Sequence, residues 1–170
     1  LAFADFAVTH NEKLQFNKRF QIFKDKYNEC LTSYKAHMLT FMGTYRHVPD
    51  SALIDIYNDI YSTIDNGSEL LDFLYNLTAN DDELTYTQCL NAALLCGTFA
   101  DWLKMSDEDK RTLILCGFYY DIGKWKLPYE ILWKPGKLTD EEFQKVRSHP
   151  VLGYSIVNRD PDLNTHVKNT

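Results

Sequence analysis

The chain has 170 residues, of which 45% are hydrophobic and 14% aromatic, and this is enough apolar material for one buried core. Its formal net charge of −6 argues against a nucleic-acid-binding surface, because the 18 lysines and arginines are scattered along the sequence. No apolar run approaches the roughly 20 residues that a membrane-spanning helix needs. The composition predicts one globular domain, with or without a helical extension.

The four cysteines form no CxxC pair, and three of them lie in apolar helical stretches, as buried free thiols do. They are Cys30, Cys89, Cys96 and Cys116. A reducing, cytoplasmic location fits this pattern best, and the start of the chain lacks the basic flank and apolar segment of a secretion signal. Because the chain begins at Leu1 and not at Met, we expect it to be part of a longer protein.

The first predicted helix covers residues 1–42 and has one strongly aromatic face. The apolar residues spaced by three and four are Leu14, Phe16, Phe20, Phe23, Tyr27, Leu31, Tyr34, Met38 and Met42. We prefer the interpretation that this stripe packs on the rest of the domain; the alternative is a seam for a partner protein or a homodimer. A break follows at Gly43–Ser51. We therefore predict a helical extension at residues 1–47 and a core domain at residues 48–170.

The remaining pattern is also helical, and no alternating strand pattern of useful length appears. The predicted helices cover residues 51–64, 68–78, 85–103, 107–120 and 140–148, and a last one begins at His149-Pro150. Ser106 is a predicted N-cap, and Thr139 with Glu142 is a predicted capping box. The fold class is therefore predicted to be all-α.

The stretch from Leu115 to His149 contains the residues best suited to chemistry. Asp121 and His149 are metal-ligand types, and Lys124 is suited to neutralising a phosphate oxygen beside them. The alternative is that Asp121 caps the helix or pairs with Lys124, and that His149 bonds a backbone carbonyl. The other histidines lie in separate segments without an i, i+4 partner, so a histidine-only metal site is not expected. The usual dinucleotide, P-loop and esterase motifs are absent.

Three segments together resemble the HD-GYP family over about residues 51–170. They are Tyr120-Asp121-Ile122-Gly123-Lys124, then LPYEILWKPGKLTDEEF, and then His149-Pro150-Val151-Leu152-Gly153. The most specific part is the Lys-Pro-Gly-Lys-Leu-Thr run at residues 134–139. The resemblance implies an all-helical HD-type bundle in a bacterial signalling protein. It also implies hydrolysis of cyclic di-GMP with two or three metal ions, usually iron or manganese.

By this resemblance, Asp121 matches the metal-bridging aspartate, Lys124 the phosphate-contacting lysine and His149 a histidine ligand of the family. Two positions depart from the family pattern. Tyr120 stands where the HD dipeptide has its histidine, and Gln88 stands where the family has its first histidine ligand. The chain also stops before the paired histidines, the later aspartate and the GYP loop of the family.

A neutral amide and a phenol with a pKa of about 10 are poor substitutes for two imidazoles as ligands. We therefore expect a degenerate domain that acts through protein contacts or nucleotide binding, with no metal in this chain and Lys124 vestigial. We also expect the Tyr120 hydroxyl to bond Asp121 or His149. One alternative is an active phosphodiesterase, with iron or manganese, completed by residues beyond this chain. Another is a helical scaffold that only dimerises through residues 1–42.

Four lysines surround the expected pocket, at Lys124, Lys126, Lys134 and Lys137. Their ammonium groups are suited to attracting the phosphates of a cyclic dinucleotide such as cyclic di-GMP. The alternative is that they are ordinary solvated loop lysines.

Overall fold

The computed structural model describes residues 10–77 and 84–170, with side chains from residue 15 onward in the first range. The helices are α1 His10–Thr44, α2 Asp50–Tyr61, α3 Gly67–Asn76, α4 Leu84–Trp102, α5 Asp107–Tyr119, α6 Tyr129–Leu132, α7 Asp140–Arg147, α8 His149–Val157 and α9 Thr165–Lys168, with a 3-10 helix at Ile122–Lys126. These residues include no strand, so the all-α prediction is confirmed. None of their helices is long and apolar enough to cross a membrane.

Helix α1 packs along the domain through the aromatic face that the sequence predicts. Phe23, Tyr34 and Met38 are fully buried and belong to the same core as residues of α2 to α5. Near the start of the helix, Phe16 and Phe20 surround Phe73 of α3 with ring centroids 5.3 and 5.6 Å away. The preferred interpretation of the stripe therefore holds for these residues. The described part of the chain excludes residues 1–9, residues 78–83 and the side chain of Leu14. The predicted boundary between extension and core domain at residue 47 stays a prediction.

Helices α4 and α5 form the centre of the domain, and small residues allow their close approach. A Cβ atom added to Gly117 of α5 would overlap the backbone of Ala93 in α4. One turn later in α4, a Cβ added to Gly97 would overlap the ring of Tyr57 in α2. The close approach of these helices therefore depends on glycine at both positions, because a side chain would have no room there.

The predicted caps set where the helices begin. The Ser106 side chain accepts from the backbone N–H of Asp109 at 3.1 Å, and Thr139 and Glu142 form the complete capping box. Asn66 caps α3 in the same way. Helix α5 ends at Tyr119, one residue earlier than predicted, and the short helices α6 and α9 were not predicted. The early end of α5 places Asp121 at the start of the 3-10 helix.

The 3-10 helix lies directly against the first turns of α8. A Cβ atom on Gly123 would overlap the carbonyl oxygen of His149 and lie 2.6 Å from the backbone nitrogen of Gly153. Only a residue without a side chain permits this approach. The contact brings the segment with Asp121 and Lys124 beside His149, although the two segments are about 25 residues apart.

Candidate functional site

Asp121 lies at the centre of the candidate site and is 3% exposed. Its Oδ2 is 2.6 Å from Nζ of Lys124, one turn later in the chain. Its Oδ1 is 3.2 Å from Nε2 of His149, at the start of α8. Each carboxylate oxygen therefore faces a nitrogen of the same chain. A buried carboxylate needs such partners, because an isolated buried charge is strongly unfavourable.

His149 is held by its second ring nitrogen. Nδ1 is 2.6 Å from the carbonyl oxygen of Val146 at the end of α7. Because a carbonyl oxygen only accepts hydrogen bonds, Nδ1 is the donor in this contact, and the other ring nitrogen, Nε2, points toward Asp121. The pairing of Asp121 with Lys124 and the carbonyl contact of His149 are both among the alternatives that the sequence left open.

Gln88 and Tyr120, the two positions that depart from the family pattern, belong to the same network. Nζ of Lys124 donates to Oε1 of Gln88 at 3.3 Å, which ties α4 to the 3-10 helix. Burial raises the pKa of Tyr120 above its usual value of 10, and the charge of Asp121 and a hydrogen bond with it act in the same direction. Tyr120 therefore stays a neutral phenol near pH 7 while remaining 40% exposed.

The residues of this network do not fit a metal pair. The described ranges contain no group of three or more His, Cys, Asp or Glu side chains that could hold a metal ion. Asp121 and His149 supply two donors, whereas catalytic zinc sites typically use three protein ligands and structural ones four. Lys124 also places a positive charge against the carboxylate that such an ion would need.

A cleft of about 330 Å³ opens beside Gln88 and Lys124. A second one of about 220 Å³ adjoins it, and the two share Thr85, Lys124, Leu132 and Trp133. Lys134 lines the larger cleft, where its Nζ is 2.6 Å from the Glu142 carboxylate. Of the four predicted lysines, Lys124 and Lys134 line these clefts, whereas Lys126 and Lys137 line neither and are exposed.

The sequence did not predict the aromatic residues that line the clefts, which we call the aromatic wall. They are Tyr86, Trp125, Tyr129 and Trp133. Trp133 lines both clefts and packs against Tyr129 in a tilted arrangement, with ring centroids 5.8 Å apart. Trp125 packs on Tyr86 of α4 at 4.5 Å. Trp125, Tyr129 and Trp133 all line the smaller cleft, but they belong to the 3-10 helix and to α6 and its C-cap, so no single helical period in the sequence predicts this aromatic surface.

The similarity to known proteins covers the part of the chain that contains the candidate site. The family model described as HD domain matches residues 72–168, more than half of the chain. A cyclic di-GMP phosphodiesterase of Pseudomonas aeruginosa is 37% identical over 99 residues, which cover 58% of this chain and 24% of that protein. A cyclic di-GMP phosphodiesterase of Thermotoga maritima is 33% identical over 91 residues, which cover 54% of this chain and 25% of that protein.

A third relative, a 3'3'-cGAMP-specific phosphodiesterase of Vibrio cholerae, is 35% identical over 91 residues, covering 48% of this chain and 21% of that protein. The chain thus spans about a quarter of the length of these curated relatives. No solved structure matches the chain significantly. The resemblance stated from the sequence is confirmed, and the chain belongs to the HD domain family.

Proposed function

We propose that this chain is an HD-type module of a signalling protein that binds a ligand or a partner without hydrolysing it. The observation that carries the proposal is the network around Asp121. Its buried carboxylate is neutralised by Lys124 at 2.6 Å and faces His149 at 3.2 Å. Because the Asp121 carboxylate is already paired within the chain, a metal ion bound there would add little stabilisation.

The chemistry of the two departing positions supports the same conclusion. In metal-dependent hydrolysis, the ions lower the pKa of a bound water and stabilise the charge of the attacked phosphate. Gln88 offers a neutral amide that is already hydrogen-bonded to Lys124, and Tyr120 offers a phenol whose pKa is raised. Neither group replaces an imidazole ligand, so the residues present favour binding over hydrolysis.

A cyclic dinucleotide is the ligand that we propose for the clefts. Their combined size reaches the range of small-molecule sites, with Lys124 and Lys134 suited to phosphate oxygens and Trp133 to a base. The relatives are named for enzymes that act on cyclic di-GMP or 3'3'-cGAMP. The ligand class follows from this likeness together with the lysines and the aromatic wall.

Calorimetry with cyclic di-GMP at low salt tests this proposal. We expect saturable heat that is unchanged by EDTA and no linear product by anion-exchange chromatography. Trp133→Ala and Lys134→Ala should each weaken binding by about tenfold. Lys18→Ala, which removes one exposed positive charge from α1, is the matched control and should bind as the parent does. Absence of heat would reject the proposed nucleotide binding, and protein contacts would then be the proposed mode of action.

An active phosphodiesterase remains the second candidate, because the relatives carry that name and the chain spans only about a quarter of their length. In this case residues beyond the present chain would complete the site. The discriminating assay uses the full-length protein loaded with iron or manganese. Turnover of cyclic di-GMP that is abolished by Asp121→Ala would establish hydrolysis and reject the binding-only proposal.

A further inference from the structure

An exposed apolar surface lies on α3 and the end of α4, away from the clefts. It consists of Leu71, Tyr75, Phe99, Trp102 and Leu103, and we call it the α3–α4 surface. All five side chains are at least 43% exposed, with Leu103 at 71% and Tyr75 at 90%. Contiguous apolar groups of this size on a protein surface are typical of interaction sites.

The two helices present these side chains next to each other. Gly67, Leu71 and Tyr75 are spaced by four and follow one face of α3. A Cβ added to Gly67 would overlap Thr98 and lie 3.0 Å from the ring of Trp102, so α3 begins against the last turns of α4. Phe99 and Trp102 pack edge to face with centroids 5.3 Å apart. The α3 face that begins at Gly67 therefore lies beside the exposed aromatic residues at the end of α4.

The surroundings of the α3–α4 surface are strongly acidic. Residues 65–77 and 99–109, which carry it, contain seven acidic residues and one lysine, a net charge equal to the −6 of the whole chain. Three of these carboxylates are paired with cations: Arg19 pairs with Asp65 and Glu69. Lys110, which follows the second range, pairs with Asp101 at 2.6 Å. Asp72, in the middle of α3, is exposed. The other four acidic residues, Asp72, Asp107, Glu108 and Asp109, are exposed, so the surroundings of the apolar residues keep a negative charge.

We infer that the α3–α4 surface docks a basic amphipathic helix of a partner protein. Its aromatic and leucine side chains suit the apolar face of such a helix, and the carboxylates suit its lysines and arginines. An anionic membrane is disfavoured by the acidic border, which would be repelled by lipid head groups. A symmetric contact between two copies is disfavoured for the same reason, since the acidic borders would face each other.

The docking surface is remote from the clefts. Trp102 follows Gln88 by fourteen residues on the same straight helix, which corresponds to about 21 Å at 1.5 Å per residue. Variants on the α3–α4 surface therefore leave the network around Asp121 in place. Partner docking and nucleotide binding are separable, and each has its own test.

The probe is a fluorescein-labelled helical peptide with leucines on one face and lysines on the other, titrated into the whole chain by anisotropy. We expect saturable binding that weakens as salt rises and that weakens about tenfold in Tyr75→Ser and Leu103→Ser. A matched peptide with glutamate in place of lysine should not bind. Val151→Ser is the control variant, because Val151 is 72% exposed on α8.

Three results would overturn the inference. They are the absence of saturable binding, an equal loss in Val151→Ser and Leu103→Ser, and equal binding of the glutamate peptide. Light scattering that gives a dimer mass for the parent and a monomer mass for Leu103→Ser would assign the surface to a second copy of the chain instead.

Discussion

Nζ of Lys124 lies 2.6 Å from Oδ2 of Asp121, one helical turn away in a 3-10 segment, and the aspartate is almost fully buried. Because the 3-10 helix begins immediately after Asp121, its first turn brings the Lys124 side chain next to the Asp121 carboxylate. The positive charge next to the aspartate thus comes from the chain itself. His149 and Gln88 extend this pair into a network across α4, the 3-10 helix and α8.

Lys124→Met should destabilise the protein by about 2–3 kcal/mol, because it leaves a buried carboxylate with one partner fewer. The free energy of unfolding in urea measures the loss. In an Asp121→Asn background the same lysine change should cost clearly less, since the buried charge is gone. Equal costs in the two backgrounds would mean that the ion pair contributes nothing to stability.

Gly123→Ala should destabilise the protein by about 1–3 kcal/mol or more, because the added methyl group overlaps the His149 carbonyl. Thermal unfolding monitored by circular dichroism measures the loss. Gly43→Ala is the matched control, since a Cβ there meets no atom within 4 Å. In the last turn of α1 it should be neutral or slightly stabilising. Similar behaviour of the two variants would contradict the close contact of the 3-10 helix with α8.

The sequence predicted the helices, and it indicated several residues that the fold brings together, but it did not predict most of the bonds between them. Caps at Ser106 and Thr139 are local signals, so they could be read directly. The hydrogen bond between Lys124 and Gln88 joins residues 36 positions apart, and no local pattern encodes it. The role of Gly123 depends on the backbone of α8, which comes from tertiary packing.

His47 and Asp160 show the same limit of sequence analysis. Nδ1 of His47 is 2.8 Å from Oδ2 of Asp160, although 113 positions separate the two residues. No local sequence pattern pairs His47 with Asp160. Asp160 is fully buried, and its other oxygen accepts from the backbone N–H of Asp162 at 2.9 Å. The pair joins the segment between α1 and α2 to the segment after α8.

His47→Ala should therefore cost about 2–3 kcal/mol, because it removes a partner of a buried carboxylate. Urea unfolding followed by circular dichroism gives the value. His166→Ala, at an exposed position on α9, should change stability by less than about 0.5 kcal/mol. If His47→Ala were as mild as His166→Ala, the contact would have no structural role.

Arg19 and Glu69 join α1 to α3 through two hydrogen bonds of 2.6 and 2.7 Å. The Arg19 hydrogen bonds lower the pKa of Glu69 below its usual value of 4.5. The stabilisation is therefore complete above that usual value and is lost as the pH falls through the lowered pKa. Because the pair is partly exposed, Arg19→Ala should cost about 0.5–1 kcal/mol at pH 7.

The measurement is the urea midpoint of parent and Arg19→Ala at several pH values from 7 to 3. The difference between them should shrink only at the acidic end of this range. Lys18→Ala, at the neighbouring exposed position, should show no comparable pH-dependent difference. A difference for Arg19→Ala that stays constant down to pH 3 would contradict the assignment to Glu69.

In the function that we propose, Lys124 supplies the positive charge beside Asp121 that a metal ion would otherwise supply. Titration with manganese, followed by the electron paramagnetic resonance signal of the free ion, tests it directly on the whole chain. We expect no stoichiometric binding by the parent and a gain of binding in the double variant Gln88→His with Tyr120→His, which supplies four donors. Stoichiometric manganese binding by the parent that is lost in Asp121→Ala and in His149→Ala would contradict the account.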